Sequence, residues 1–162
     1  IGLSVVPHLD DAEGPISSTR IRRLLQDGYP ERAALLLGRP FAITGTVSHG
    51  DKRGRTIGFP TANIPLGRHL EPARGVYAVR AALADGRVVP GVANLGRRPT
   101  AGGDPVSLLE AHLFDFAEDI YGQEASVALL RFLREERRFE SFDALKAQIA
   151  RDAAAARAAL GG

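Results

Sequence analysis

Residues 49–64 read HGDKRGRTIGFPTANI. His49 opens the run, glycines fall at Gly50, Gly54 and Gly58, and Lys52, Arg53 and Arg55 stand between them. Glycines at such intervals let a backbone approach a ligand and turn its N–H groups toward it, and the three cations suit a polyphosphate. The charge then stops at Pro60-Thr61-Ala62-Asn63. Thr61 and Asn63 are two residues apart, so on a strand both side chains leave the same face. A hydroxyl beside an amide carbonyl is a pair of hard oxygen ligands, fit for Mg²⁺ or another divalent cation already partly held by nucleotide phosphates. The plain alternative is a solvated hairpin turn followed by a structural hydrogen-bonding pair. Neither the phosphate loop ending in Gly-Lys-Ser/Thr nor the Gly-x-Gly-x-x-Gly fingerprint is present.

A second candidate is Glu110, in Ser107–Phe116 (SLLEAHLFDF). Read as a strand, this segment sends Glu110, His112, Phe114 and Phe116 one way and Leu109, Ala111, Leu113 and Asp115 the other. A carboxylate among so many apolar residues is costly to bury unless it is paired or used. It suits a base that takes a proton from a hydroxyl; the common alternative is a carboxylate neutralised by one of the many arginines. The histidines at 8, 49, 69 and 112 show no metal-site spacing. Between Arg131 and Phe139 (RFLREERRF), Arg134 and Phe139 offer a guanidinium and a ring to an aromatic ligand, although such a run also serves as a solvated connector.

The elements that must hold these residues follow from the pattern. Ser17, Ser18 and Thr19 cap a helix that Gly28 ends, and a second helix runs from about Pro30 to Leu37 with Gly38 behind it. The first fifteen residues read as a loop. From Phe41 to Phe132 the pattern is β: Phe41–His49, a strand opening at the Pro60–Asn63 cluster, Gly75–Leu83, Arg87–Asn94 after an Asp85-Gly86 turn, Ser107–Phe116, and Ala125–Phe132, where Ala, Leu and Arg leave helix as an alternative. Pro90 and Gly91 suggest an edge strand or a bulge, and Leu95–Pro105, rich in glycine and proline, reads as a loop. Short strands at this spacing predict a closed or nearly closed antiparallel barrel. Ser141 caps a last helix whose Phe142, Leu145, Ile149, Ala153, Ala156 and Leu160 form the stripe expected to lie on the barrel.

Composition bounds the answer. The chain of 162 residues suits one domain with a small appended piece, at 44% hydrophobic and 25% charged. No apolar run approaches the roughly 18–20 residues of a membrane span, and no signal peptide is read, which makes the cytoplasm the expected compartment. There are no cysteines, which excludes disulfides and thiolate chemistry together. A net charge of +2 does not mark a nucleic-acid binder. Lysine occurs only at Lys52 and Lys146, an arginine bias read as compositional.

Taken in order, HGDKRGRTIGFPTANI, GVYAV, NLGRRPT, LLEAHLFDF, EDIYG and FLREERRFES resemble the riboflavin kinase module of bacterial bifunctional riboflavin kinase/FAD synthetases, over about residues 40–160. The resemblance implies a six-stranded Greek-key β-barrel with helices outside it, and conversion of ATP and riboflavin to ADP and FMN. It further implies Thr61 and Asn63 as the metal-binding pair and Glu110 as catalytic base toward the ribityl 5′-hydroxyl. The segment from His49 to Gly58, with Gly50, Arg53, Gly54 and Arg55, is then the one over the nucleotide, and Arg134 and Phe139 lie at the flavin. Residues 16–22 (ISSTRIR) resemble the closing motif of the family's FMN adenylyltransferase module. On that reading residues 1–40 are a remnant of that module, residues 41–162 are the kinase domain, and FAD synthesis is absent. Ala101-Gly102-Gly103 departs from the pattern, where a bulkier residue is expected beside the threonine, and a looser loop is expected there. A non-catalytic flavin- or nucleotide-binding barrel is the competing expectation; an RNA-binding barrel is disfavoured by 6% aromatic content.

Overall fold

The structure is a computed structural model that describes residues 7, 9–49, 61–100 and 102–161. A two-stranded ladder comes first, β1 (Asp10–Asp11) and β2 (Gly14–Pro15), where a loop is expected from sequence. It is followed by α1 (Ser18–Gln26) and α2 (Pro30–Leu37). Ser17 caps α1 by accepting the Arg20 N–H at 3.2 Å. Gly28 (φ 84°) and Gly38 (φ 73°) take the left-handed conformation beyond the two helices, which glycine adopts without a Cβ clash.

The barrel strands are β3 (Ala42–Thr46), β4 (Ala62–Pro65), β5 (Gly75–Leu83), β6 (Val88–Thr100), β7 (Gly103–Leu113) and β8 (Glu124–Glu135). All pair antiparallel in the order β3-β8-β5-β6-β7-β4. The meander β5-β6-β7 with β4 returning beside β7 is a Greek key. An isolated bridge between Ser48 and Asn63 joins the two edge strands and nearly closes the barrel. Alternation sends Ile43, Ile64, Tyr77, Val79, Ala93, Leu95, Leu109, Ala111, Val127 and Leu129 into one interior cluster. Tyr77 keeps its hydroxyl there by donating to the Ala73 carbonyl, and burial pushes its phenol pKa far up.

Two sequence expectations are corrected in this sheet. Residues 95–100 and 103–105 are not a loop: β6 runs on to Thr100 and β7 starts at Gly103, with Gly96 opposite Leu108 and Thr100 opposite Gly103. Nor is Pro90–Gly91 at an edge or bulge, since β6 lies between β5 and β7 and its one register shift falls between Arg98 and Thr100. In a strand a residue's N–H and C=O point to the same neighbour. The Pro90 carbonyl accepts the Phe114 N–H at 2.8 Å, one residue past the end of β7, so the missing proline N–H falls at the end of the β6–β7 ladder and not within it. Gly91 is required by closeness: a Cβ there would lie 2.5 Å from the His112 carbonyl oxygen.

The C-terminal helix α3 (Phe142–Ala159) lies across the outside of β5, β6 and β8. Ser141 caps it, accepting the Ala144 N–H at 3.1 Å. Its buried line is Gln148, Asp152 and Ala156, flanked by Ala153 and Leu160, while Phe142 is left exposed. The expected apolar stripe thus packs on the barrel at Ala153, Ala156 and Leu160, while Gln148 and Asp152 are buried beside it because they meet Arg137 and Arg134 from β8 and the segment after it. On the other side α1 and α2 rest on the barrel: Leu25 and Ala33 are buried, the Ala73 N–H donates to the Leu25 carbonyl at 2.9 Å, and Gly28 abuts the Phe132 ring.

Candidate active site

The seam of the barrel puts Asn63 in an unusual position. Its backbone carbonyl accepts the Ser48 N–H at 2.8 Å and the Ser48 hydroxyl at 3.1 Å. Ser48 and Thr61 therefore stand as adjacent stems of the intervening segment, both fixed at Asn63. The Asn63 side chain is 1% exposed. Its amide N–H reaches the Thr61 carbonyl at 3.4 Å, a weak contact, and its Oδ1 is buried without a hydrogen-bond partner among the described residues. A buried acceptor left in that state costs free energy. A hard cation at Oδ1 relieves that cost, so the Thr61–Asn63 pair fits the metal that its residue types imply.

Register fixes what stands beside Asn63. Asn63 in β4 pairs with Glu110 in β7, and Glu110 pairs with Asn94 in β6. Since inward residues on these strands are Ile64, Leu109, Ala93 and Leu95, the row Asn63–Glu110–Asn94 lies on the outer face of the barrel. Directly opposed residues have Cβ atoms about 5 Å apart, so amide and carboxylate are immediate neighbours. Arg98, further along the same face of β6, donates from Nη2 to Glu110 Oε2, and Asn94 Nδ2 donates to Glu136 Oε1 at 3.2 Å. Glu136 comes from beyond β8, and its carboxylate fills the place that a Cβ on Gly96 would occupy.

Around the end of the barrel, a cavity of about 240 Å³ is lined by Thr61, Ala62, Ala111 and Leu113 and roofed by residues 116–121. The His49 ring stacks on Tyr121 with centroids 3.7 Å apart. Arg87 holds this roof. Its guanidinium donates to both carboxylate oxygens of Glu118, at 2.7 and 2.6 Å, and from Nε to Asp85 at 2.7 Å, and it lies over the Phe116 ring. Arg87 holds the carboxyls of Asp85 and Glu118 below their ordinary range.

Arg134 is engaged elsewhere. Its Nε and Nη2 donate to the two carboxylate oxygens of Asp152 on α3 at 2.9 and 2.7 Å, with Asp152 almost fully enclosed. Phe139 lies near this pair, its ring centroid 5.8 Å from the Arg134 guanidinium and 5.0 Å from that of Arg137. Gln148 ties Arg137 and Arg151 to Asp152.

Of the residues singled out from sequence, the structure brings together Thr61, Asn63 and Glu110 and sets His49 at the barrel mouth. Gly50, Arg53, Gly54, Arg55 and Gly58 lie outside the described residues. Arg134 and Phe139 form a separate group under α3, with Arg134 held by Asp152 and the Glu135 carbonyl. Sequence reasoning assigned no role to Arg98, Asn94, Glu136 or Tyr121. Arg98 was hidden by reading 95–105 as a loop: once β6 is extended, the alternation from Asn94 through Gly96 to Arg98 puts it on the Glu110 face.

Residues 37–160 match the family model described as Flavokinase, riboflavin kinase, and the chain belongs to that family. It is 54% identical over 142 residues to the bifunctional riboflavin kinase/FMN adenylyltransferase of Escherichia coli K12, a match covering 88% of this chain and 45% of that protein. The chain spans about half the length of the curated relatives it matches. A crystal structure described as a macrolide-efflux protein from Streptococcus pneumoniae superimposes with a TM-score of 0.82 and 41% identity, over 91% of this chain and 48% of that one. The crystal structure of riboflavin kinase from Trypanosoma brucei shares the fold, at a TM-score of 0.53 and 24% identity over 75% of this chain and 80% of that one. No helix among the described residues is long and apolar enough to cross a membrane.

Proposed function

We propose that the chain transfers the γ-phosphoryl group of ATP to the 5′-hydroxyl of riboflavin, giving FMN and ADP. The observation that carries this reading is the juxtaposition of the unpartnered Asn63 Oδ1 with the Glu110 carboxylate on neighbouring strands. Thr61 and Asn63 would hold Mg²⁺ or another divalent cation, which when bound neutralises phosphate charge and fixes the triphosphate. The basic segment His49, Gly50, Arg53, Gly54, Arg55 and Gly58 contacts the phosphates. The barrel-end cavity, which shares Thr61 with the metal pair, takes the nucleoside end. Glu110 accepts the proton of the 5′-hydroxyl as that oxygen bonds to the γ-phosphorus and the bond from phosphorus to the leaving ADP oxygen breaks. No covalent enzyme intermediate is needed, because phosphoryl transfer asks chiefly for alignment and charge neutralisation.

The flavin ring lies toward Phe139, with Arg134 acting there through its hold on Asp152. Residues 1–40 are a segment of the adenylyltransferase module and 41–162 the kinase domain, working in the cytoplasm. The test is incubation with riboflavin, ATP and Mg²⁺ and chromatography for FMN. Wild-type protein forms FMN, and Glu110→Gln, folded, loses about 100-fold or more in turnover, as removal of a general base does. A folded Glu110→Gln with near-normal turnover removes the base from the mechanism. Flavin binding without any FMN supports a binding module instead.

A further inference from the structure

We propose that Arg98 is the positioning residue for Glu110: it pins one carboxylate oxygen and so presents the other to the substrate hydroxyl. This rests on the kinase reading above. Arg98 Nη2 holds Glu110 Oε2, and no described residue hydrogen-bonds Oε1. The arginine is itself anchored, its Nη1 donating to the Arg97 carbonyl at 3.3 Å. It stands at the register shift between Arg98 and Thr100, on the same face of β6 as Asn94, and reaches along the sheet over Gly96. Gly96 leaves that lane without a side chain of its own, and the carboxylate of Glu136 enters it to meet Asn94.

The pair does little for stability. The side chains of Arg98 and Glu110 are 40% and 27% exposed, and ion pairs so open to water contribute weakly. What the contact does supply is direction. A free glutamate samples several rotamers, whereas one oxygen tied to a fixed guanidinium confines the other to a narrow arc. Confinement of a reacting group is where orientation contributes most to rate. Asn94, the group directly across from Glu110, donates to Glu136, while the hydrogen bond that Glu110 receives comes from Arg98.

The experiment is a double-mutant cycle on the full chain, with Arg98→Ala, Arg98→Lys, Glu110→Gln and the combined variant. FMN formation is followed at steady state over a range of riboflavin and ATP concentrations, and folding is checked by thermal melting. Arg98→Ala is expected to lower kcat about tenfold with KM for riboflavin and for ATP within about twofold, since alignment and not binding is lost. Added guanidinium ion restores part of the rate in Arg98→Ala, and Arg98→Lys keeps part of it, because a point charge tethers the oxygen less firmly than a planar fork. In the Glu110→Gln background the Arg98→Ala change has no further effect. An equal loss in both backgrounds, or a rise in KM for ATP with kcat preserved, overturns the proposal and makes Arg98 a direct phosphate contact. Wild-type FMN formation, measured alongside, separates failure of this proposal from failure of the kinase reading. Should Arg98→Ala melt below the assay temperature, the same cycle is run with Arg98→Lys.

Discussion

Asn63 carries an oxygen that the described fold leaves without a partner, in a chain whose other described buried side-chain polar atoms are satisfied. That makes it the residue whose substitution separates folding from ligand binding. Asn63→Ala removes an unpartnered buried acceptor and leaves a small void, two effects that oppose each other. The free variant should therefore melt within about 1 kcal/mol of wild type. Wild-type melting rises on addition of Mg²⁺ and ADP by mass action; in Asn63→Ala most of that rise disappears. An unchanged ligand-induced rise, read by calorimetry, would remove Asn63 from the cation site. At this scale the sequence was informative because the chemistry is local: a Thr-x-Asn pair on a strand needs no tertiary knowledge to share a face. Arg98 was not legible, because it lies in the tip of a hairpin, residues 95–105, that was read as a loop.

At the scale of elements, α3 shows how a buried polar pair adds to the contact of an amphipathic helix. Ala153, Ala156 and Leu160 of the expected stripe pack on the barrel, while Gln148 and Asp152 are buried beside them and Phe142 is left exposed. The reason lies in β8 and the segment after it, which supply Arg134 and Arg137. Periodicity in one helix cannot report cations arriving from another element. Asp152→Ala strands Arg134, which is only 23% exposed. Loss of about 2–3 kcal/mol is expected by denaturant unfolding, somewhat below the cost of breaking a fully enclosed pair. A loss below about 0.5 kcal/mol would show that α3 is held by its apolar contacts alone.

The roof over residues 116–121 makes a different prediction. Arg87 lowers the carboxyl pKa values of Asp85 and Glu118 in the folded state. A depressed carboxylate contributes stability above its unfolded pKa of about 4, and that contribution vanishes as pH falls through the lowered folded value. Wild type should therefore melt above Arg87→Ala at pH 6, with the gap narrowing as pH drops below about 4. A gap that is constant with pH contradicts this. The strands themselves were read well where an apolar run is bounded by turn residues. Gly75–Leu83, whose first five residues are all buried, appears as β5 with the boundaries expected. They were misread where glycine and proline serve close approach, as at Gly91 and Gly96, and not turns.

Across the whole molecule, the Greek-key barrel has one consequence for function. Strand order brings β4, β7 and β6 side by side although β5 intervenes in sequence, so Asn63, Glu110 and Asn94 form a row that chain proximity could never assemble. The same closure joins Ser48 to Asn63 and sets both ends of the basic segment at that row. α1, α2 and α3 brace the barrel from outside, and the site faces away from its packed interior. The kinase reading claims that cation and alcohol meet on this outer row. A crystal structure with Mg²⁺, ADP and riboflavin measures that directly. The account predicts the cation bound by Asn63 Oδ1 and Thr61 at about 2.1 Å, and the ribityl 5′-hydroxyl within about 3.2 Å of Glu110. A cation held elsewhere while Asn63 Oδ1 stays unpartnered, or a hydroxyl that meets a different carboxylate, contradicts it.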